Sequence, residues 1–111
     1  MCLAIARDKL LDGAMQKHDL DALVVGTGGL PPLIDPIAGD AWPRGPASST
    51  LPAVAGYPHV TVPAGWYHGL PVGVSFIGAP FSEGKLLGYA FAFEQATRQR
   101  KPPRYLATAP V

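Results

Sequence analysis

Glycine and proline recur at short intervals between residues 53 and 80, and this spacing limits the chain to short strands there. Residues 57–63 and 71–78 contain valine, tyrosine, threonine, phenylalanine and isoleucine between these breakers, and each segment predicts a strand. The intervening residues 64–70 predict a glycine-containing turn, so the two strands form a hairpin. Proline cannot donate a ladder hydrogen bond, so the prolines that flank the turn predict that strand pairing stops short of it.

Three segments precede this hairpin. Apolar residues at helical spacing predict an amphipathic helix over residues 3–18. Residues 22–25 form a continuous apolar run and predict a strand buried on both faces, as central strands usually are. After a long stretch rich in glycine and proline, which is either functional or disordered, residues 51–56 predict one helical turn with Thr50 as its cap and a glycine as its stop.

The last predicted helix has the clearest start. Ser82 occupies the cap position, Glu83 lies in the first turn, and Phe81 and Leu86 have the spacing of a hydrophobic staple. Arginine and lysine precede a Pro-Pro pair at its end. Its sequence places two lines of residues along the helix: Leu86, Ala90, Phe93 and Thr97, and beside them Leu87, Phe91 and Glu94.

Together these elements predict an α/β chain, or α+β if it is taken by itself. The expected architecture is a three-stranded mixed sheet with a hairpin and flanking helices. A chain of this length can bury roughly two thirds of the surface that its unfolded form exposes. We therefore expect residues 1–111 to form a single domain or part of one.

Charged residues are scarce in this chain. They make up 15% of it, against 48% hydrophobic residues, whereas an average soluble domain has about 25% charged residues. This scarcity predicts that some apolar surface faces another chain or another part of a larger protein. The formal net charge of +1 favours neither nucleic acid nor a membrane surface as a partner. Cys2 is the single cysteine, so the sequence predicts no internal disulfide and a cytoplasmic location. No apolar run reaches the roughly 18 residues that a membrane span needs.

Five blocks of the sequence occur in a recognisable order: LDALVV (20–25), AVAGYP (53–58), VTVPAG (60–65), GLPVGV (69–74) and AFEQAT (92–97). In this order they closely resemble the C-terminal quarter of enzymes of the amidase signature family. The resemblance covers almost the whole chain, and it is the combination of blocks that makes it specific.

The resemblance implies that the chain is the C-terminal part of a larger enzyme in which helices sandwich a mixed sheet. Such an enzyme hydrolyses a carboxamide through an acyl-enzyme, using a serine nucleophile, a second serine and a lysine. In the family these three residues lie in the N-terminal part, and nothing in this chain aligns with them. The resemblance therefore implies no catalytic residue, metal or cofactor here, and a small amide as substrate of the complete enzyme only.

Two serine motifs invite a catalytic interpretation. Ser48 and Ser49 form a double serine like that of the family's nucleophile motif, but they lack the flanking glycines that let an oxyanion loop approach a substrate. Ser75 follows Gly73 as in a nucleophile elbow, but the second glycine comes one residue late. Loop, capping and strand roles are the expected ones. The three histidines are too scattered for a metal site.

The resemblance implies a substrate pocket beside the loop that follows residues 22–25. We expect Thr27, Gly28 and Trp42 to border the acyl-side pocket of a complete enzyme. Trp66 and Tyr67 are expected to pack against neighbouring structure. The basic residues that follow residue 97 are expected to offset the helix dipole.

Two functions remain open at this point. The chain is the C-terminal segment of an amidase and is not catalytic alone, or it is a non-catalytic module that associates with itself or with a partner through apolar surface and open sheet edges. In the first case its partner is the missing N-terminal part of the amidase.

Overall fold

The computed structural model describes residues 2–32, 34–39 and 48–105. Its elements are α1 (Cys2–Ala4), a π-helical segment (Ile5–Leu11), α2 (Asp12–Lys17), β1 (Leu23–Gly26), α3 (Thr50–Ala55), β2 (His59–Tyr67), β3 (Leu70–Ile77) and α4 (Glu83–Thr97). The predicted order of elements and the three-stranded α/β architecture are confirmed. No described helix is long and apolar enough to cross a membrane.

The first helical stretch differs from the regular amphipathic helix that the spacing predicts. Ala6, Leu11 and Met15 are buried, whereas Leu3 and Leu10 are 47% and 44% exposed. The hydrogen bonds of a π-helix join residues five apart, so each turn holds more residues than an α-helical turn. This change of period moves the buried face away from positions that a 3.6-residue repeat selects.

The sheet has the strand order β1-β3-β2. Both pairings are antiparallel, with Leu23 opposite Ile77 in one and His59 opposite Ile77 in the other. The prediction of a mixed sheet is therefore wrong for the described residues. β1 pairs with β3, the second strand of the hairpin, and runs antiparallel to it, whereas pairing with β2 would have made the two strands parallel.

β1 lies at an edge of this sheet and not at its centre. Leu23 and Val25 pack against a core cluster, but Val24 points to the other face and is 60% exposed. The predicted burial on both faces is therefore wrong in the described part of the chain. A short apolar run does not reveal whether a second layer covers it, because that layer is contributed by residues remote in sequence.

The hairpin is longer than its prolines predict. Its strands continue to Tyr67 and from Leu70, so the turn is His68-Gly69 alone, with φ angles of 48° and 75°. Two positive φ angles are the requirement of the tight type I′ turn. Pro63 is accommodated by an irregularity in register between it and Gly65, since a bulge removes the need for a ladder donor.

Two core clusters lie on opposite faces of the sheet. One joins the N-terminal helical stretch and α3 to the sheet through Leu11, Met15, Ala55, Tyr57 and Ile77, among others. The other joins α4 to the sheet through Val62, Phe76, Leu86 and Ala90. The sheet is therefore covered by helices on both sides over part of its area.

The start of α4 is predicted correctly, but the staple is not. Ser82 is the residue before the helix, and its hydroxyl donates to the carbonyl of Ala79 instead of capping α4. Leu86 is fully buried, whereas Phe81 is 96% exposed and has a φ of 62°. That positive φ turns the chain so that Phe81 does not contact Leu86.

The AVAGYP block joins the N-terminal helical stretch to the hairpin. Gly56 ends α3 in the left-handed conformation with a φ of 71°, as its predicted stop role requires. Arg7 Nε donates to the carbonyl of Ala55 over 2.6 Å, and the Tyr57 hydroxyl lies 2.7 Å from the Asp12 carboxylate. The block therefore has a scaffold role.

Candidate functional site

A cleft of about 370 Å³ opens where β1 ends beside the hairpin. Its walls come from the segment after β1 and from the paired parts of β2 and β3. The lining residues are Thr27, Gly28, Gly29, Pro31, Thr61, Val62, Pro63, Pro71, Val72 and Gly73. None of these lining residues carries a charge, so the cleft suits an uncharged, largely apolar group.

Three hydroxyl groups form a line across the sheet beside this cleft. Ser75 Oγ lies 2.8 Å from Thr27 Oγ1 and 2.9 Å from Thr61 Oγ1. Ser75, which is fully buried, is the middle member because it bonds to both threonines: Thr61 lies on β2, and Thr27 is the residue that follows β1. We call Thr27, Ser75 and Thr61 the hydroxyl ladder.

The strand register explains how the ladder is assembled. Val25 and Thr61 both lie opposite Ser75 on β3. The backbone N–H of Thr27 donates to the carbonyl of Gly73 over 3.0 Å, which extends this alignment one residue beyond β1. The hydroxyls of Thr27, Ser75 and Thr61 then face the same side of the sheet, because side chains alternate with a period of two.

A hydrogen bond and a close approach to a glycine constrain Thr27. The Ser48 hydroxyl donates to the Thr27 carbonyl over 2.6 Å. A Cβ atom at Gly73 would lie 2.7 Å from Thr27 Oγ1 and 3.1 Å from Thr61 Cγ2. Only glycine at this position lets the two threonines approach as they do.

The predicted pocket residues are placed as follows. Thr27 and Gly28 both line the cleft. Trp42 lies outside the described residues. Sequence reasoning missed Thr61, Gly73 and Ser75 as parts of one site. The sequence does show that residues 73 and 75 lie on the same face of one strand, because side chains alternate. It does not show the strand register that places Thr61 opposite Ser75.

Three of the four serine hydroxyls have hydrogen-bond partners in the structure. Those of Ser48 and Ser82 donate to backbone carbonyls, and that of Ser75 bonds to threonines. Ser49 precedes α3 without a capping bond from its side chain. No lysine contacts any of these hydroxyls through a hydrogen bond in the described part of the chain. The expected loop and strand roles of Ser48 and Ser75 are confirmed.

The histidines do not converge either. Within residues 2–32, 34–39 and 48–105, no group of three or more histidine, cysteine, aspartate and glutamate side chains is arranged to hold a metal ion. His59 lies half-buried on β2, and its Nε2 atom has no hydrogen-bond partner among the described residues. His68 forms the turn and meets the ring of Tyr67 edge-on.

Trp66 connects the hairpin to the chain that follows α4. Its indole N–H donates to the carbonyl of Gln99 over 2.8 Å, and Lys101 Nζ lies 5.4 Å from the ring centroid. The expected packing role of Trp66 is confirmed, whereas Tyr67 is 57% exposed. Lys101 therefore contacts an aromatic ring in addition to following the end of a helix.

A second hollow of about 460 Å³ lies on the opposite face, between β1, β3 and α4. Its lining residues are Asp21, Ala22, Val24, Phe76, Tyr89, Ala92 and Phe93. Elsewhere on α4, Leu87 and Phe91 are 58% and 63% exposed. The lining of the hollow is mostly apolar, and the charged residue in it, Asp21, accepts a hydrogen bond from Lys85 Nζ over 2.7 Å.

Comparisons with known proteins find relatives of this chain both by sequence and by structure. A "Probable amidase" of Arabidopsis thaliana is 55% identical over 60 residues, which are 53% of this chain and 12% of the relative. A glutamyl-tRNA(Gln) amidotransferase subunit from Desulforudis audaxviator is 56% identical over 52 residues, which are 44% of this chain and 11% of the relative. No family model matches the chain.

The solved structure of the native peptide amidase of Stenotrophomonas maltophilia superposes with a TM-score of 0.79 at 45% identity. The match covers 94% of this chain and 20% of that one. The chain thus spans between about a tenth and a fifth of the length of these relatives. Similarity at this level extends to both sequence and backbone, and the chain belongs to the amidase signature family.

Proposed function

We propose that this chain forms one wall of the substrate cleft of an amidase, with the serine nucleophile and its partners outside these 111 residues. The observation that carries the proposal is the uncharged cleft at Thr27 and Gly28, placed on a scaffold that matches peptide amidase. Thr27 and Gly28 border the acyl side of the substrate. The complete enzyme hydrolyses the carbon–nitrogen bond of a small amide through Ser-Ser-Lys chemistry.

The shape of the chain supports its role as part of a larger fold. Its radius of gyration is 16.4 Å, whereas a compact domain of this length has one of about 13 Å. Large apolar side chains such as Val24, Leu87 and Phe91 are more than half exposed. Such surfaces are normally covered in a monomeric enzyme. Under this proposal the partner of the chain is the remainder of an amidase, and the complete enzyme is cytoplasmic.

A chimera tests the proposal. The matched fifth of Stenotrophomonas maltophilia peptide amidase is replaced by this chain, and hydrolysis of a peptide amide is measured for the chimera and for the chain alone. We expect turnover by the chimera and none by the chain, because a nucleophile and its base must both lie within hydrogen-bond reach. A folded but inactive chimera, or turnover that purifies with the isolated chain, would contradict the proposal.

The second candidate function is a non-catalytic module that associates with itself. The exposed edge strand β1 and the apolar residues Leu87 and Phe91 on α4 favour it. Sedimentation of the isolated chain over a range of concentrations separates the candidates, since a monomer at every concentration would exclude this one. An oligomer that dissociates when the rest of an amidase is added would support the first.

A further inference from the structure

We propose that the hydroxyl ladder binds an amide group, with one of its outer threonines donating to the carbonyl oxygen and the other accepting from the N–H. The ligand class is an uncharged molecule that carries an apolar group beside an amide. This inference rests on the proposed function, in which an amide substrate enters the cleft. It goes further by assigning the ladder as a binding site and Ser75 as its positioning residue.

The number of protons in the ladder leads to this assignment. Three hydroxyl groups have three protons, and the two hydrogen bonds made by Ser75 use two of them. One proton is left. It belongs to Thr27 or to Thr61 when Ser75 donates to one threonine and accepts from the other; if Ser75 accepted from both, its own proton would be left without an acceptor at a fully buried position, which is costly. Since a hydroxyl is both donor and acceptor, the threonine that keeps the free proton can donate it, while the other offers only lone pairs.

An amide has the matching pair of groups. Its carbonyl oxygen needs one donor, and its N–H needs one acceptor. An ester has two acceptors and no donor, and a carboxylate has acceptors only, so neither satisfies both ends of the ladder. The uncharged walls of the cleft further disfavour a carboxylate, because no lining residue supplies a positive charge.

Access and position agree with this role. Thr61 is exposed and Thr27 is half-buried, and both line the cleft. Ser75 is fully buried and is absent from the lining, so it acts through the two threonines. Burial also keeps water from competing for the Ser75 hydroxyl. The threonines are thus held by a partner that the ligand does not displace.

Prolines and valines supply the apolar part of the site. Val62, Pro63, Pro71 and Val72 line the cleft beside the ladder. A branched alkyl group of a few carbon atoms fits this surface by burial of apolar area, which contributes about 25 cal/mol per Å². The ladder then selects among ligands of the same alkyl group according to their polar group.

The test is a titration of the full 111-residue chain, followed by the NMR shifts of the Thr27 and Thr61 amides. The probes are isovaleramide and methyl isovalerate, which share an alkyl group and a carbonyl but differ in the N–H donor. We expect the amide to bind about 2- to 10-fold more tightly, the range that one hydrogen bond supplies. Equal affinity for the two probes, or binding of neither, would overturn the inference.

Two variants assign the selectivity to the ladder. Ser75→Ala leaves each threonine with a free proton, so the ratio of amide to ester affinity should fall to about one. Thr61→Val removes one end of the ladder and should weaken the binding of isovaleramide about 2- to 10-fold. Because Thr61 is exposed, this variant still tests the ladder if Ser75→Ala does not fold. The matched control Ser82→Ala lies outside the cleft and should keep the ratio of the wild type. An unchanged ratio in Ser75→Ala, or unchanged isovaleramide affinity in Thr61→Val, would refute the role of the ladder.

These readouts separate the inference from the proposed function. Binding is measured without any catalytic residue, so selective binding together with an inactive chimera would refute only the proposed function. Conversely, an active chimera together with equal affinity for amide and ester would refute only the ladder.

Discussion

The Tyr57 hydroxyl lies 2.7 Å from both oxygens of the Asp12 carboxylate. The two residues are far apart in sequence, and their contact holds the N-terminal helical stretch against the entrance to the hairpin. Arg7 lies 5.9 Å from the centroid of the same tyrosine ring, which places a positive charge beside the pair.

We first predict that Tyr57→Phe destabilises the chain. Tyr57 is buried, and its hydroxyl bonds to a charged acceptor, so its loss should lower the free energy of unfolding by about 1.5–3 kcal/mol. Urea denaturation of the 111-residue chain measures this change. Tyr105→Phe is the matched control, because Tyr105 is 90% exposed and its substitution should have little effect. Equal stabilities of the two variants would contradict a structural role for the contact.

The second prediction concerns alkaline pH. Burial, and then the hydrogen bond to Asp12, raise the pKa of Tyr57 to about 12, from 10.0. Between these two values the folded chain keeps the proton and the unfolded chain loses it, so stability falls as the pH rises through this window. The contribution is fully present below pH 10. Urea midpoints of wild type and Tyr57→Phe should therefore converge from pH 10 to pH 12, and a constant difference would show that the residue titrates normally.

The sequence was sufficient to predict those elements that have local signals. The start of α4 after Ser82 and the stop of α3 at Gly56 were both predicted from local residue types, although the Ser82 hydroxyl does not cap the helix. The direction of β1 could not be predicted in this way, because antiparallel pairing with β3 depends on residues about fifty positions away. Pro63 led to a hairpin that was predicted too short, because a bulge allows a proline within a strand.

In the candidate site, too, some residues could be predicted from the sequence, whereas others depend on strand pairing. Thr27 and Gly28 were assigned to a pocket through the resemblance, and both lie in the cleft. Ser75 looked like an ordinary strand residue, because a serine in a strand carries no sign that its hydroxyl will meet two threonines. That meeting depends on the register of both strand pairs at once. Local sequence gives the alternation of side chains but not the register.

The third prediction is that Gly73→Ala disrupts the ladder without removing any hydroxyl. The added Cβ would lie 2.7 Å from Thr27 Oγ1, so Thr27 must move away from Ser75. We expect a loss of about 1–3 kcal/mol in the free energy of unfolding, as for overpacked sites. Gly26→Ala is the control in the same sheet, because no atom lies within 4 Å of its Cβ position. A Gly73→Ala variant as stable as Gly26→Ala would mean that the threonines are not constrained.

The fourth prediction compares neighbours on α4. Leu86 is fully buried and Leu87 is 58% exposed. Leu86→Ala should destabilise the chain by about 2–5 kcal/mol through lost burial and a cavity, whereas Leu87→Ala should cost well under that. Thermal and urea unfolding of both variants measure the difference. Comparable losses would show that another copy of the chain covers Leu87, and sedimentation would then reveal an oligomer.

The fifth prediction concerns the segment after α4, which Trp66 holds through its indole N–H and the carbonyl of Gln99. Trp66→Phe keeps an aromatic ring but removes the donor and weakens the attraction of the ring for Lys101. Loss of a hydrogen bond worth about 0.5–1.5 kcal/mol raises the population of a locally opened segment about 2- to 10-fold. Trypsin cleavage after Arg98 and Arg100 should accelerate by that factor, because proteolysis follows the open population when reclosing is fast.

Tyr67→Phe is the control for this effect, since Tyr67 is the next residue on β2 and is 57% exposed. Its cleavage rate should match that of the wild type. A rate that rises equally in both variants would indicate general loosening of the hairpin, and circular dichroism would then show loss of strand signal. A rate unchanged in Trp66→Phe would mean that the Gln99 contact does not hold the segment, because the only donor removed is the one that reaches it. If cleavage accelerates in Trp66→Phe alone, the VTVPAG block and the tryptophan that follows it hold the end of α4 against the sheet.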